Sequence, residues 1–237
     1  MAGRPGRRRF RSASVPAPGG GSRRASSAVE AFPVPLDLLL ALVVFAFVTS
    51  VTPGPNNLML LASGVNFGLR RTVPHLLGVG IGFAVMVALV GLGIGRALEA
   101  WPALYAAMRA AGVAYLLWLA WKLAGAGAVR AEDGDIQGRP MTFLGAAAFQ
   151  WVNPKGWVMA VTATATYAAP GDRSAAGALL VAAVFGAVAL PASGAWAAFG
   201  VWLRRWLAEP RVVRVFNVSM AVLLVLSLWP LVAEGLG

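Results

Sequence analysis

Thr52-Pro53-Gly54-Pro55-Asn56-Asn57 interrupts an apolar run that begins at Leu36 and resumes at Leu58. Proline removes a backbone donor and clashes with the preceding turn, and glycine adds backbone freedom, so the chain has to unwind at these residues. In lipid, unwound backbone is tolerated only where its freed amides and carbonyls face protein or a water-filled cavity. A broken membrane helix is therefore a candidate binding site.

The composition around this break is that of a membrane protein. Of 237 residues 59% are hydrophobic and 12% charged, against about 25% charged in soluble domains, and the mean hydropathy is +0.72. The absence of cysteine excludes disulfides, thiolate metal sites and thiol-based electron transfer. Of the net charge of +11, +6 lies in residues 1–35, which hold seven arginines against Glu30, and most of the rest lies in or beside short loops. Short basic segments beside membrane helices set topology and contact anionic lipid. No aromatic platform accompanies these arginines, so nucleic acid is not the expected partner.

Residues 1–33 are rich in Arg, Ser, Pro and Gly without helical period and read as a disordered basic tail. Organised sequence starts abruptly at Val34-Pro35-Leu36-Asp37, which fits a start site assigned too early. Peptides from residues 1–33 in mass spectra of the native protein would refute that assignment. Residues 34–235 read as one six-helix domain, with apolar segments at 36–64, 76–94, 103–124, 143–167, 175–199 and 212–232, each near the roughly 20 residues needed to cross the hydrocarbon. Trp101, Trp118, Trp121, Trp202, Trp206 and Trp229 fall near segment ends, as interfacial anchors do.

The loops after segments 1, 3 and 5 carry nine Lys and Arg, against Arg96, Arg109 and Arg173 on the other side. That bias puts the odd loops in the cytoplasm and both termini outside; the arginines of the tail pull the opposite way unless the tail is absent or translocated. Reporter fusions at Asp135 and Asp172 decide between the orientations.

A second break, Asn153-Pro154-Lys155-Gly156, lies inside the fourth segment. Breaks in helices 1 and 4 divide six helices into two sets of three, and an odd number per set inverts the second set relative to the first. The expected fold is thus an all-α integral membrane protein of two inverted three-helix repeats with broken helices 1 and 4. Such an arrangement describes a transporter rather than an enzyme.

A zwitterionic solute suits these breaks. The half-helix after Pro55 offers free amides and the positive end of its dipole to a carboxylate. Asn56 and Asn57 add donors and acceptors, and carbonyls freed by Pro53 and Pro55 can take an ammonium. Lys155, inside a span, is either the carboxylate's counter-charge or a member of a proton relay; the bland alternative has it snorkelling to lipid phosphate. Thr52, Pro53, Gly54, Pro55, Asn56, Asn57, Asn153, Pro154 and Lys155 form the candidate site.

Other features read as structural. Asp37 complements the dipole at the start of helix 1, His75 reads as a surface residue at a loop edge, and Glu132, Asp133 and Asp135 read as a solvated loop. Ser193 with His75 is the nearest approach to a hydrolytic pair, without a Gly-x-Ser-Gly setting. Gly78/Gly82 and Gly91/Gly95 have the spacing of close helix packing, within the chain or across a homodimer. Gly78-Val79-Gly80-Ile81-Gly82 follows no strand and is no nucleotide fingerprint, so no cofactor is expected.

Thr52-Pro53-Gly54-Pro55-Asn56, the run from Gly64 to Gly82, Ala114-Tyr115-Leu116-Leu117-Trp118-Leu119-Ala120-Trp121-Lys122 and Asn153-Pro154-Lys155 together resemble the LysE/RhtB family of lysine and homoserine-lactone exporters, over about residues 34–235. The resemblance implies multi-pass insertion in the bacterial cytoplasmic membrane and export of amino acids or close derivatives coupled to the proton motive force. It leaves the amino acid open. A metal-cation exporter is the alternative, disfavoured by the lack of acidic residues deep in the spans.

Overall fold

A computed structural model describes residues 35–94, 100–125, 139–168, 174–207 and 209–229. Residues 1–33 and most of 125–139 lie outside the described residues. Every regular element among the described residues is helical: α1 Leu36–Val51, α2 Pro55–Phe67, α3 Leu69–Leu89, α4 Pro102–Ala124, α5 Phe143–Phe149, α6 Pro154–Tyr167, α7 Ser174–Leu203 and α8 Pro210–Leu226.

Proline sets several of the boundaries. α2, α4, α6 and α8 all have proline at their first turn, where the missing N–H costs nothing and the fixed φ suits the helix. A single residue, Gly68, joins α2 to α3, with φ at 77°; that left-handed conformation favours glycine. α3 ends in a π-helical turn, Val90–Ile94, kinked at Gly93.

α1 and α2 form the expected broken helix, bent by 55° at residues 52–54. The second break is also present: α5 tightens into a 3-10 turn, Gln150–Val152, before α6 restarts at Pro154. By length and apolarity Leu69–Ile94 and Ala175–Trp206 can each cross a membrane, and α1 with α2 makes a third span if the bent pair counts as one. The other segments are helical but shorter or more polar. α5 has 7 residues and α6 has 14, α8 stops after 17, and α4 contains Arg109 and Lys122.

α7 packs against α1, α2 and α3; α3 also packs on α5, and α4 on α8. One core cluster joins Leu42 and Ala46 to Phe83, Met86, Val181 and Phe185, with Phe83 and Phe45 edge-on to Phe185 at 5.3 and 6.2 Å. A second joins Leu58 and Leu61 to Leu116, Phe149, Met220 and Leu224. Meanwhile Leu40, Val44, Phe47, Val85, Val222 and Leu226 lie exposed, an apolar exterior suited to lipid.

Apolar surface alone gives helices in lipid little reason to associate, so close packing through small residues carries the fold. A Cβ on Gly64 would collide with the Ala197 carbonyl, and one on Gly200 with the Leu61 carbonyl, so α2 and α7 touch backbone to backbone. Gly78 and Gly82 hold α3 against Phe143 and Ala147 of α5, and Gly91 meets Ala178 of α7. The glycine faces considered for a homodimer are thus occupied within the chain; Gly95 lies outside the described residues.

His75 is corrected by the structure. It is not at a loop edge: α3 starts at Leu69, seven residues before the apolar segment drawn from sequence, which carries His75 into the helix at 2% exposure. The polar run Arg70-Arg71-Thr72 hid those roughly two extra helical turns. Asp37 does sit in the first turn of α1.

Candidate functional site

The two breaks meet. A cavity of about 40 Å³, room for a few water molecules, is lined by Gly54, Pro55, Asn56 and Asn57 from the first break and by Asn153 and Lys155 from the second. Thr49, Ser50, Phe83 and Ser193 are also in its wall. Thr52, Pro53 and Pro154 are absent from the lining, but Thr52 and Pro53 join the site through their carbonyls.

Lys155 ties the breaks together. Its ammonium donates to the Thr52 carbonyl at 2.6 Å and, more weakly, to the Pro53 carbonyl at 3.5 Å. The side chain lies directly over Gly54, where a Cβ would come within 2.8 Å of the lysine Cδ and 3.2 Å of Nζ. Gly54 is extended, a conformation any residue adopts; space for Lys155 is what glycine provides. The lysine is half-buried, and its ammonium holds the carbonyls that sequence reasoning offered to a substrate's ammonium.

Broken helices leave carbonyls to satisfy. The Asn57 amide donates to the carbonyls of Ser50 at 2.8 Å and Thr52 at 2.9 Å, closing the end of α1. Two indoles do similar work: Trp196 donates to the Val51 carbonyl at 3.2 Å, and Trp157 to the Trp151 carbonyl at 2.8 Å. One interior tryptophan thus serves each break, a role the interfacial reading of the other tryptophans does not extend to. We expect Trp196→Phe to preserve the ring's packing yet leave the carbonyl short of a donor, costing about 1–3 kcal/mol, measurable as an earlier thermal transition in detergent.

Sequence reasoning did not identify Gln150 as a member of the site. Its amide pairs reciprocally with Asn56, donating at 3.3 Å and accepting at 2.8 Å, and it also donates to the Ala146 carbonyl. The pair locks the start of α2 to the end of α5. Its only sequence signal is a lone amide four residues before a proline inside an apolar segment. A double-mutant cycle with Asn56→Ala and Gln150→Ala should show coupling of about 1 kcal/mol in unfolding free energy.

Both restarting helices present their N-termini to the cavity. α2 begins after Gly54 and α6 after Asn153, and neither has a side-chain cap. Two uncapped ends, each positive, face one small space. The Ser50 hydroxyl and the side-chain Oδ1 of Asn153 are buried beside it without hydrogen-bond partners. The arrangement can bind an anionic group at the helix ends and a cation at the Thr52 and Pro53 carbonyls.

Ser193 and His75 do not form a pair: Ser193 lines this cavity, whereas His75 lines another and neither of its ring nitrogens has a partner. Among the described residues no three His, Asp or Glu side chains cluster as metal ligands.

Comparison with known proteins extends these observations. The LysE type translocator family matches residues 47–228. Cysteine/O-acetylserine efflux proteins of Escherichia coli strains HS and K12 and of Shigella flexneri serotype 5b are each 32% identical over 189 residues, covering 79% of this chain and 94% of theirs. No solved structure matches the chain.

Proposed function

Because the chain belongs to the LysE type translocator family, we propose that it exports a small zwitterionic amino acid of the cysteine or O-acetylserine kind across the bacterial cytoplasmic membrane, driven by the proton motive force. The carrying observation is the meeting of two uncapped helix N-termini at one cavity bridged by Lys155. The six helical segments act as two inverted sets of three, so that each break opens to one side in turn.

Lys155 is the latch in this proposal. With the lysine on the Thr52 and Pro53 carbonyls, the cavity has only about 40 Å³ and the breaks are closed on each other. A substrate's carboxylate settles at the ends of α2 and α6 and draws the Lys155 ammonium to itself, a charge-assisted contact stronger than one to a neutral carbonyl. The substrate's own ammonium then takes the vacated carbonyls. Exchange of one ammonium for another keeps the buried charges compensated while releasing the tie between the halves. The proton gradient acts through the same amine, whose uncharged form still donates to the carbonyls but without the charge that strengthens the latch.

The metal-cation alternative lacks a cluster of hard or imidazole ligands among the described residues. Cells preloaded with O-acetylserine, cysteine and a dipeptide panel test the proposal. We expect efflux of one small neutral amino acid, collapsing on addition of a protonophore. Unchanged efflux across the panel, with altered metal tolerance, would overturn it.

A further inference from the structure

A second, larger cavity of about 520 Å³ lies between α2, α4 and the segment leading into α5, well within the range of small-molecule sites. Its cationic part carries Lys122 and Arg139. Lys122 lies 4.6 Å from the centre of the Trp118 ring, and among the described residues neither cation meets a carboxylate. Ser63, Asn66 and His75 also line it.

The polar groups there are not equivalent. Ser63 is paired with Thr72 at 2.9 Å, and Asn66 with Asn217 and the Ala62 carbonyl. His75 alone is left over: 2% exposed, with both ring nitrogens unpartnered. A buried imidazole without a partner costs free energy, which a ligand's donor or acceptor removes. Two cations, an unpartnered imidazole and the apolar Met59 and Leu119, all lining one cavity, together suit a small organic anion with a polar tail.

α2 connects this cavity to the first. Its start, at Asn56, lines the small cavity, and Ser63 lines the large one, roughly 10 Å further along at 1.5 Å per residue. The cation bias assigns Lys122 and Arg139 to the cytoplasmic side. Resting on the export reading above, we infer that this cavity is a cytoplasmic waiting site that binds the amino-acid carboxylate at Lys122 and Arg139, and its side chain at His75, before transfer along α2.

The lack of cysteine makes occupancy readable. Met141→Cys reports on the large cavity and Thr49→Cys on the small one, each measured as the rate of maleimide alkylation in vesicles with and without O-acetylserine. In phosphatidylcholine vesicles, O-acetylserine should slow alkylation at Met141→Cys at least fivefold. The protection should vanish with Lys122→Gln plus Arg139→Gln, and again with His75→Leu, while Thr49→Cys stays protected. A merely structural His75 would leave protection unchanged on conversion to leucine. Protection at Thr49→Cys alone overturns the waiting site and spares the export proposal. Protection by phosphatidylglycerol in place of O-acetylserine overturns it in favour of a lipid headgroup site. Protection at neither position overturns both.

Discussion

Lys155→Met is expected to lower O-acetylserine efflux about a hundredfold while the protein still accumulates in the membrane. Methionine keeps the length and apolar stem of the side chain but has no donor, so the Thr52 and Pro53 carbonyls lose the ammonium that bridges them. A hydrogen bond to a charged group contributes about 1.5–3 kcal/mol, and a tenfold change corresponds to about 1.4 kcal/mol. Losing both the latch and the carboxylate's counter-charge therefore gives roughly two orders of magnitude. Stability should change less, because Asn57 continues to hold the Thr52 carbonyl. Lys155→Arg keeps the charge but brings a planar fork where a point charge lies close over Gly54; partial efflux is the expected outcome. Gly54→Ala approaches the same position from the other side, since its Cβ would push the lysine aside without removing it, and a fall of about tenfold is expected. Wild-type efflux in Lys155→Met would remove the lysine from the mechanism.

The reason Lys155 could be picked out of the sequence, while Gln150 could not, is physical. An ionised group within an apolar segment is so costly in lipid that its presence signals a role. A lone amide carries a smaller penalty and has many bland explanations, and the partner that gives Gln150 meaning, Asn56, is 94 positions away. The breaks themselves were legible for the same local reason: proline and glycine act on their own backbone, so 52–57 and 153–156 announced themselves without tertiary information. Close packing through Gly78 and Gly82 was legible as spacing, but not its partner, α5. His75 was misplaced because helix boundaries in polar, arginine-bearing stretches depend on what the helix packs against, not on hydropathy. Residues that line the large cavity with His75, such as Tyr115 and Arg139, are distant in sequence and leave no periodic trace.

Gly64→Ala and Gly200→Ala should each cost about 3 kcal/mol or more, seen as a fall in thermal transition of about 5–10 °C in detergent. A methyl group at Gly64 would collide with the carbonyl of Ala197, and one at Gly200 with that of Leu61. Both obstacles are backbone, which cannot rotate away as a side chain does, so relief requires α2 and α7 to separate. Separation weakens backbone-level packing that lipid cannot replace, because apolar side chains gain little by leaving lipid for one another. It also disturbs transport, since α2 carries Asn56 and Asn57 into the small cavity and α7 supplies Ser193 and the indole of Trp196. Gly194→Ala, in the same helix, provides the contrast. There the nearest atom to the new methyl group is Leu76 Cδ1 at 3.6 Å, an ordinary contact, while alanine is favoured over glycine within a helix by about 1 kcal/mol. The same substitution six residues apart in α7 should thus have opposite signs, with Gly194→Ala neutral or stabilising. Equal losses at Gly194 and Gly200 would mean that glycine serves α7 by flexibility rather than by closeness, and the backbone contact would then not be what holds α2 against α7.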